Sequence, residues 1–215
     1  RDPTTMTPQS ARDALRALAA SRAAVPPPPV MSAEDIKVKG AAGFLNARAY
    51  RNSSEKSPTI VFFHGGGWVA GDLDTHDRQA RWLAIETGAV VISVDYRRPP
   101  EVKFPGAFQD AVAATKDVID RIAEFGGDDN RVGVAGDSAG GNLAAVTAIA
   151  CRDAGVVNIR GRVPSRSSVM IVRATFEAPK NMKNTIMPAS TSPMTPMSLD
   201  ASPPRSSGGR VTSAS

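Results

Sequence analysis

Apolar positions in the first three quarters of the chain change period several times, and each change marks an element. From Gln9 to Val25, residues Ala11, Ala14, Leu15, Leu18 and Ala19 recur at helical spacing, with Arg12, Arg16 and Arg22 off that face, which predicts a helix. Pro26-Pro27-Pro28-Pro29 ends it, because a proline run continues no helix and stiffens as polyproline II. Period two then governs Ile36–Lys39 and Leu45–Tyr50, the alternation of an antiparallel pair exposed on one side. Continuous apolar runs follow at Thr59–Phe63, Ala89–Val94 and Arg131–Ala135, as expected of parallel strands covered on both faces.

Helices are expected between these runs. One spans about Thr75 to Glu86 and stops at Gly88. A second begins near Pro105, carries Phe108, Ala111, Val112, Thr115, Val118 and Ile122 at helical spacing, and stops at Gly126-Gly127. A third follows Ser138 and runs toward Gly155. This β-α-β-α-β-α order implies an α/β fold, a mostly parallel sheet with flanking helices and right-handed crossovers. Trp68, Trp82, Phe62, Phe63, Phe104 and Phe108 are read as core, with Trp68 also a candidate for the entrance of a site.

Composition sharpens this picture at the carboxyl end. The 215 residues are 41% apolar and 22% charged, enough for a domain with a sizeable core. Lys and Arg number 26 against 21 Asp and Glu, a formal charge of +5. Up to Arg160 there are nineteen of each sign, whereas Gly161 to Ser215 holds seven basic and two acidic residues. The excess is therefore no folded basic face, and a nucleic-acid partner is not expected. The same segment has eleven Ser, seven Pro, five of the seven Met and Phe176 as its one aromatic residue. Three zones result: a helix with a proline linker over 1–30, an α/β core over 31–160, and a divergent tail over 161–215. Within the tail, Val169–Val172 is a candidate sixth strand, and disorder is expected after Pro179.

Other classes are excluded or set aside. No apolar run approaches the roughly 18 to 20 residues of a membrane span. Cys151 is the single cysteine, so no intramolecular disulfide forms; it reads as a small core residue. With no secretory pattern at the start, a cytoplasmic setting is expected. No Cys/His cluster suggests a metal, and no Gly-rich stretch ends in the Gly-Lys-Ser/Thr of a phosphate loop, so no cofactor is expected. Oligomeric state is left open.

Two motifs carry chemistry. Gly136-Asp137-Ser138-Ala139-Gly140 sits at a strand-to-helix junction, where glycines permit a tight turn that lifts Ser138 Oγ to a helix N-terminus. His64-Gly65-Gly66-Gly67-Trp68 follows the first buried strand, and residues without side chains leave N–H groups open to a tetrahedral oxyanion. Each lies at the carboxyl end of an expected parallel strand.

Together with Asp95-Tyr96-Arg97, Pro100-Glu101, Phe104-Pro105 and the extension Gly141-Asn142, these motifs resemble the hormone-sensitive-lipase-like branch of the α/β-hydrolase esterases. The resemblance covers about two-thirds of the chain. It implies a carboxylic ester hydrolase acting on a small-molecule ester, with Ser138 as nucleophile, Gly66, Gly67 and Ala139 as oxyanion-hole donors, Gly65 as a further candidate donor, and His64 supporting the loop. It also implies that Gln9–Val25 is the remnant of a cap helix. Arg98-Pro99 stands where the family has a Leu-Ala-like pair, a departure to which no function is attached.

The catalytic acid and base of the family follow the serine, in the order Ser, Asp or Glu, His. Here both histidines, His64 and His76, precede Ser138, and neither catalytic partner is present. The abrupt change near Val156 to Gly161 resembles a frame change or gene end, so the hydrolase pattern is expected to be incomplete at its C-terminal end. His76 is read as a surface residue, and Asp137 as structural. Asp95, Arg97 and Glu101 are expected to form one ion-pair cluster beneath the site, and Asp153 and Asp200 to be solvated. Two alternatives to catalysis are kept: a non-catalytic binding protein on the same fold, as in hormone receptors resembling these esterases, and a non-functional truncated product.

Overall fold

Mostly valine, isoleucine and phenylalanine form β3 (Ser57–Phe63) and β4 (Val90–Val94), the centre of the sheet in the computed structural model, which describes residues 6–22, 24–156, 158–159 and 169–175. The two pair in parallel, Val61 opposite Ile92, and β5 (Gly127–Asp137) pairs in parallel on the other side of β3. The alternating segments predicted at the start form β1 (Ser32–Gly40) and β2 (Gly43–Arg51), an antiparallel hairpin whose second strand lies antiparallel to β4. β6 (Asn158–Ile159) and β7 (Val169–Thr175) complete the order β1-β2-β4-β3-β5-β7-β6. The candidate strand at Val169–Val172 is thus found within β7, which runs antiparallel to β5. The described residues all fall within one compact unit. The disorder expected after Pro179 lies outside the described residues.

Successive side chains of a strand point to opposite faces, and the centre of the sheet uses both. Val61, Phe63, Ile92, Val94 and Val134 pack with α3 (Gly106–Asp120) and α4 (Ala139–Asp153) through Ala111, Ala114, Val118, Leu143 and Ala144. Ile60, Phe62, Val91 and Ala135 face the other way, onto Ala80, Leu83 and Ala84 of α2 (Asp77–Thr87). Each fully buried side chain of this size contributes about 1.5–3 kcal/mol. Alanine and glycine on the helices let them approach the sheet closely.

Helix limits follow the stop signals with local shifts. Gly88 caps α2 with φ +64°, and Gly126 ends a short 3-10 turn, Ile122–Phe125, that takes Ile122 out of α3. The first helix, α1 (Pro8–Ala20), starts with a reciprocal Thr7–Ser10 capping box and stops short of Val25. Val25 precedes a proline, and that position disfavours helical backbone. Three core expectations do not hold: Trp68 is 40% exposed after the glycine run, Trp82 is 51% exposed on α2, and Phe104 is 88% exposed ahead of α3. The reason is positional, since Trp82 falls on the outer face of α2 and Phe104 precedes a helix rather than belonging to its apolar stripe.

The expected cluster of Asp95, Arg97 and Glu101 is three separate pairs. Arg97 binds Asp110 (2.7 Å), Asp95 binds Arg98 (2.5 Å), and Glu101 binds Arg12 of α1 (2.6 Å). Arg12 grips both Glu101 oxygens and, with its hydrogen bonds, holds that exposed carboxyl down at about 2. The arginine also donates to Val69 O and Pro99 O, while Arg16 reaches Asp72, so α1 is fastened by charged side chains.

Asp110 is fully buried and accepts from Ala41 N, Arg97 N and the Arg97 guanidinium, tying the β1–β2 turn to the segment after β4. Asp110→Ala leaves those donors unpaired, and denaturant unfolding is expected to show a loss of about 3–5 kcal/mol.

Candidate active site

The carboxyl ends of β3 and β5 lie side by side, Phe63 opposite Gly136, and this brings both sequence motifs together. Ser138 sits between β5 and α4 with φ +50° and ψ −117°, a left-handed backbone that costs an L-residue energy and is typical of functional turns. It is exposed, whereas its neighbours Ala139 and Gly140 are buried. A β-carbon at Gly140 would lie 1.9 Å from the Phe63 carbonyl oxygen, and one at Gly136 would lie 2.2 Å from the Gly140 carbonyl oxygen. The glycines of G-x-S-x-G are therefore there because backbones touch.

The His64–Gly67 segment is held peptide by peptide. The His64 carbonyl accepts from Tyr96 OH (2.7 Å), and the N–H of the same peptide, that of Gly65, donates to Asp137 Oδ1 (2.8 Å). The Gly65 carbonyl lies 2.8 Å from His64 Nδ1, and the Gly66 carbonyl accepts from Val69 N and Ala70 N. Three consecutive carbonyls are thus occupied. A trans peptide points its N–H opposite its carbonyl, so the N–H groups of Gly66 and Gly67 are turned away from these anchors. Neither has an acceptor among the described residues. Gly65, by contrast, has its N–H engaged.

His64 is fully buried, stacks on Tyr96 at 4.4 Å, and has Arg98 Nη1 3.0 Å from Nε2. Burial chiefly, with the nearby Arg98 charge, pushes its imidazole toward the neutral form despite Asp95 and the Gly65 carbonyl. Both ring nitrogens have partners, so the ring supports the loop. His76 corrects the surface reading: it is 8% exposed, with Nε2 3.6 Å from Asp137 Oδ2 and Nδ1 3.0 Å from Thr75 Oγ1. An Asp72–Thr75 turn, closed by each backbone N–H donating to the other residue's side-chain oxygen, folds His76 inward at the start of α2. The Asp-x-x-Thr spacing was the available sequence signal for that turn. Tyr96 and Arg98 are the residues to which sequence reasoning gave no role. Their place directly after β4, beside the His64 loop, was the available hint.

An apolar cavity of about 600 Å³ opens beside the loop. Gly67 and Trp68 form one side, Asn142, Leu143 and Val146 of α4 another, and Val102, Phe104 and Phe108 close it. Trp68 is thus at the entrance, 40% exposed and with φ +61°. Among the described residues no three His, Cys, Asp or Glu side chains converge to hold a metal ion, and no helix is long and apolar enough to cross a membrane. Cys151 is buried, which pushes its thiol up and makes it a core residue. Asp153 is exposed and paired with Arg152; Asp200 lies outside the described residues.

Because backbone crowds Gly140, Gly140→Ala should lose about 3 kcal/mol or more in thermal or denaturant unfolding, whereas Gly67→Ala, with open space around it and φ +62°, should lose only about 1–2 kcal/mol. Burial alone would raise the Asp137 carboxyl, yet His76 and the Gly65 N–H hold it below the ordinary range. A depressed pKa contributes stability that is complete above the unfolded value, about 3.9, and is lost as pH falls through the folded value. Asp137→Asn should accordingly flatten the acid limb of the stability–pH curve, measured by urea unfolding at stepped pH.

Residues 60–202 match the α/β-hydrolase fold family, a match that continues past Arg160. Among curated proteins, the chain is 44% identical over 131 residues to esterase LipI of Mycobacterium tuberculosis, covering 59% of this chain and 41% of the relative. It is 52% identical over 98 residues to carboxylesterase NlhH of the same species, covering 46% and 31%. Among solved structures, the Pyrobaculum calidifontis esterase superposes with a TM-score of 0.69 at 44% identity, covering 72% of this chain and 51% of that one. The thermophilic carboxylesterase EstE1 from a metagenomic library gives 0.67 at 41% identity, covering 71% and 52%. The chain therefore spans about half or less of the length of these relatives. With the serine elbow and the glycine loop at adjoining strand ends, and the match extending over most of the chain, the protein belongs to the α/β-hydrolase fold family, in its hormone-sensitive-lipase-like branch.

Proposed function

We propose that this site performs acyl transfer from small carboxylic esters, with Ser138 as the nucleophile. The observation that carries the reading is the exposed Ser138, at the N-terminus of α4, beside a loop with two unoccupied N–H groups and an apolar cavity. Ser138 Oγ attacks the ester carbonyl carbon, and the N–H groups of Gly66, Gly67 and Ala139 receive the charge that develops on oxygen. Gly65 is left out of this set because its N–H is spent on Asp137. Collapse of the intermediate breaks the bond to the alcohol oxygen, which leaves as the alcohol with the proton given up by Ser138 Oγ, and the resulting acyl-serine is hydrolysed by water. The cavity takes the apolar part of the ester. The relatives' names, esterase and carboxylesterase, support the reaction class.

One observation favours a second reading. The chain has two histidines, and both have ring partners elsewhere: His64 with Gly65 O and Arg98, His76 with Thr75 and Asp137. Neither is poised to take the serine proton, which suits a protein that binds a small apolar ligand without turning it over.

Release of p-nitrophenol from a short-chain ester separates the two. The expected result is slow turnover, since no histidine faces the serine, that Ser138→Ala lowers to the background rate. Equal rates in both proteins would overturn the catalytic reading. Saturable quenching of tryptophan emission by a medium-chain carboxylic acid, with no turnover, would establish the second.

A further inference from the structure

The Arg98 guanidinium lies between two groups. Nη1 is 2.5 Å from Asp95 Oδ1 and 3.0 Å from His64 Nε2. A guanidinium has five N–H donors and no acceptor. At 3.0 Å from it, His64 Nε2 offers a lone pair, so in the neutral ring the hydrogen resides on Nδ1. That hydrogen points at the Gly65 carbonyl, 2.8 Å away. The Gly65 carbonyl and the Gly66 N–H belong to one planar peptide and point in opposite directions. Whatever fixes the carbonyl therefore aims the N–H.

We propose that Arg98 is a positioning residue: by donating to Nε2 it keeps His64 as the Nδ1–H tautomer, and the Nδ1–H bond to Gly65 O aims the Gly66 N–H at the place where the oxyanion forms. The catalytic side of this inference rests on the acyl-transfer reading; the tautomer side does not. The groups facing His64 are few. Asp95 and Arg98 come from the segment after β4, with Asp95 Oδ1 at 3.9 Å from Nε2. Tyr96 stacks on the ring, His76 presents its own ring at 5.3 Å, and Asp137 reaches in from the end of β5 against His76. Removal of Arg98 leaves Asp95 as the anion facing Nε2, and a carboxylate draws a proton there. The ring then either carries hydrogen on Nε2 alone, setting two lone pairs against each other at Gly65 O, or takes a second proton and a buried charge.

The test is imidazole ¹H–¹⁵N correlation spectroscopy on the full chain, with His76→Gln assigning the two rings. Wild-type protein near about pH 7, where histidine tautomers and charge are both readable, should show His64 with a hydrogen-free Nε2. In Arg98→Leu that nitrogen should become protonated, and Arg98→Lys, which keeps a cationic donor, should restore the wild-type pattern. If the wild type already carries hydrogen on Nε2, or if Arg98→Leu leaves Nε2 bare, the proposal is wrong. Where the ester assay shows turnover, Arg98→Leu should lower kcat about tenfold with KM within about twofold, because a misaimed Gly66 N–H weakens a hydrogen bond made in the transition state; a rise in KM alone would overturn the catalytic part. Absence of wild-type turnover rejects the acyl-transfer reading separately, and the spectrum still decides the tautomer.

Discussion

The first turn of α4 comes down on the last peptide of β3 so closely that no β-carbon fits between them at Gly140. Most of the site depends on this approach. It forces the chain to reverse within one residue after β5, and so puts Ser138 in a left-handed conformation that it would not choose. The same approach sets Asp137 beside Gly65, close enough to accept its N–H. If the helix stood one methyl group further off, the serine, the glycine loop and the carboxylate would no longer share a single frame.

Around that junction the polar groups follow a division of labour. Carbonyls of the loop are taken up by Tyr96, His64 and the Val69–Ala70 turn, and the unoccupied groups that result are donors of one polarity. A site of free N–H groups at a helix terminus attracts negative charge without any charged side chain pointing into it. The polar and charged residues nearby are spent on each other: Asp95 faces Arg98, the Asp137 carboxylate faces the His76 ring, and Asp110 faces Arg97. These pairs stiffen the surroundings and leave the cavity wall apolar.

Much of this was legible from residues alone. The strands at Thr59–Phe63 and Ala89–Val94 declared themselves because burial on both faces demands apolar side chains at nearly every position, and the elbow and loop because backbone contact tolerates only glycine. Side-chain partners were less legible. Asp95, Arg97 and Glu101 stand close in sequence yet have three different partners, Arg98 in the same segment, Asp110 on α3 and Arg12 on α1, because a turn fans successive side chains apart. His76 has the sequence surroundings of a surface residue because hydropathy ignores what a local turn does; the Asp72–Thr75 closure turns it inward. Arg98 stood out in sequence only as a departure without a role, because that role is visible only once His64 is seen to face it.

The first helix has a different standing from the rest of the fold. None of its residues is buried, and thirteen residues are too few to stay helical alone in water. Its order is borrowed through Arg12 and Arg16, so detaching and uncoiling are one event, separate from the cooperative melting of the sheet. Because the attachment is largely ionic at the surface, salt weakens it more than it weakens the core. Arg12 holds Val69 O and Pro99 O at the same time. Ionic strength therefore has a route from the solvent to the segment that carries the glycine loop, with the hydrophobic interior left intact.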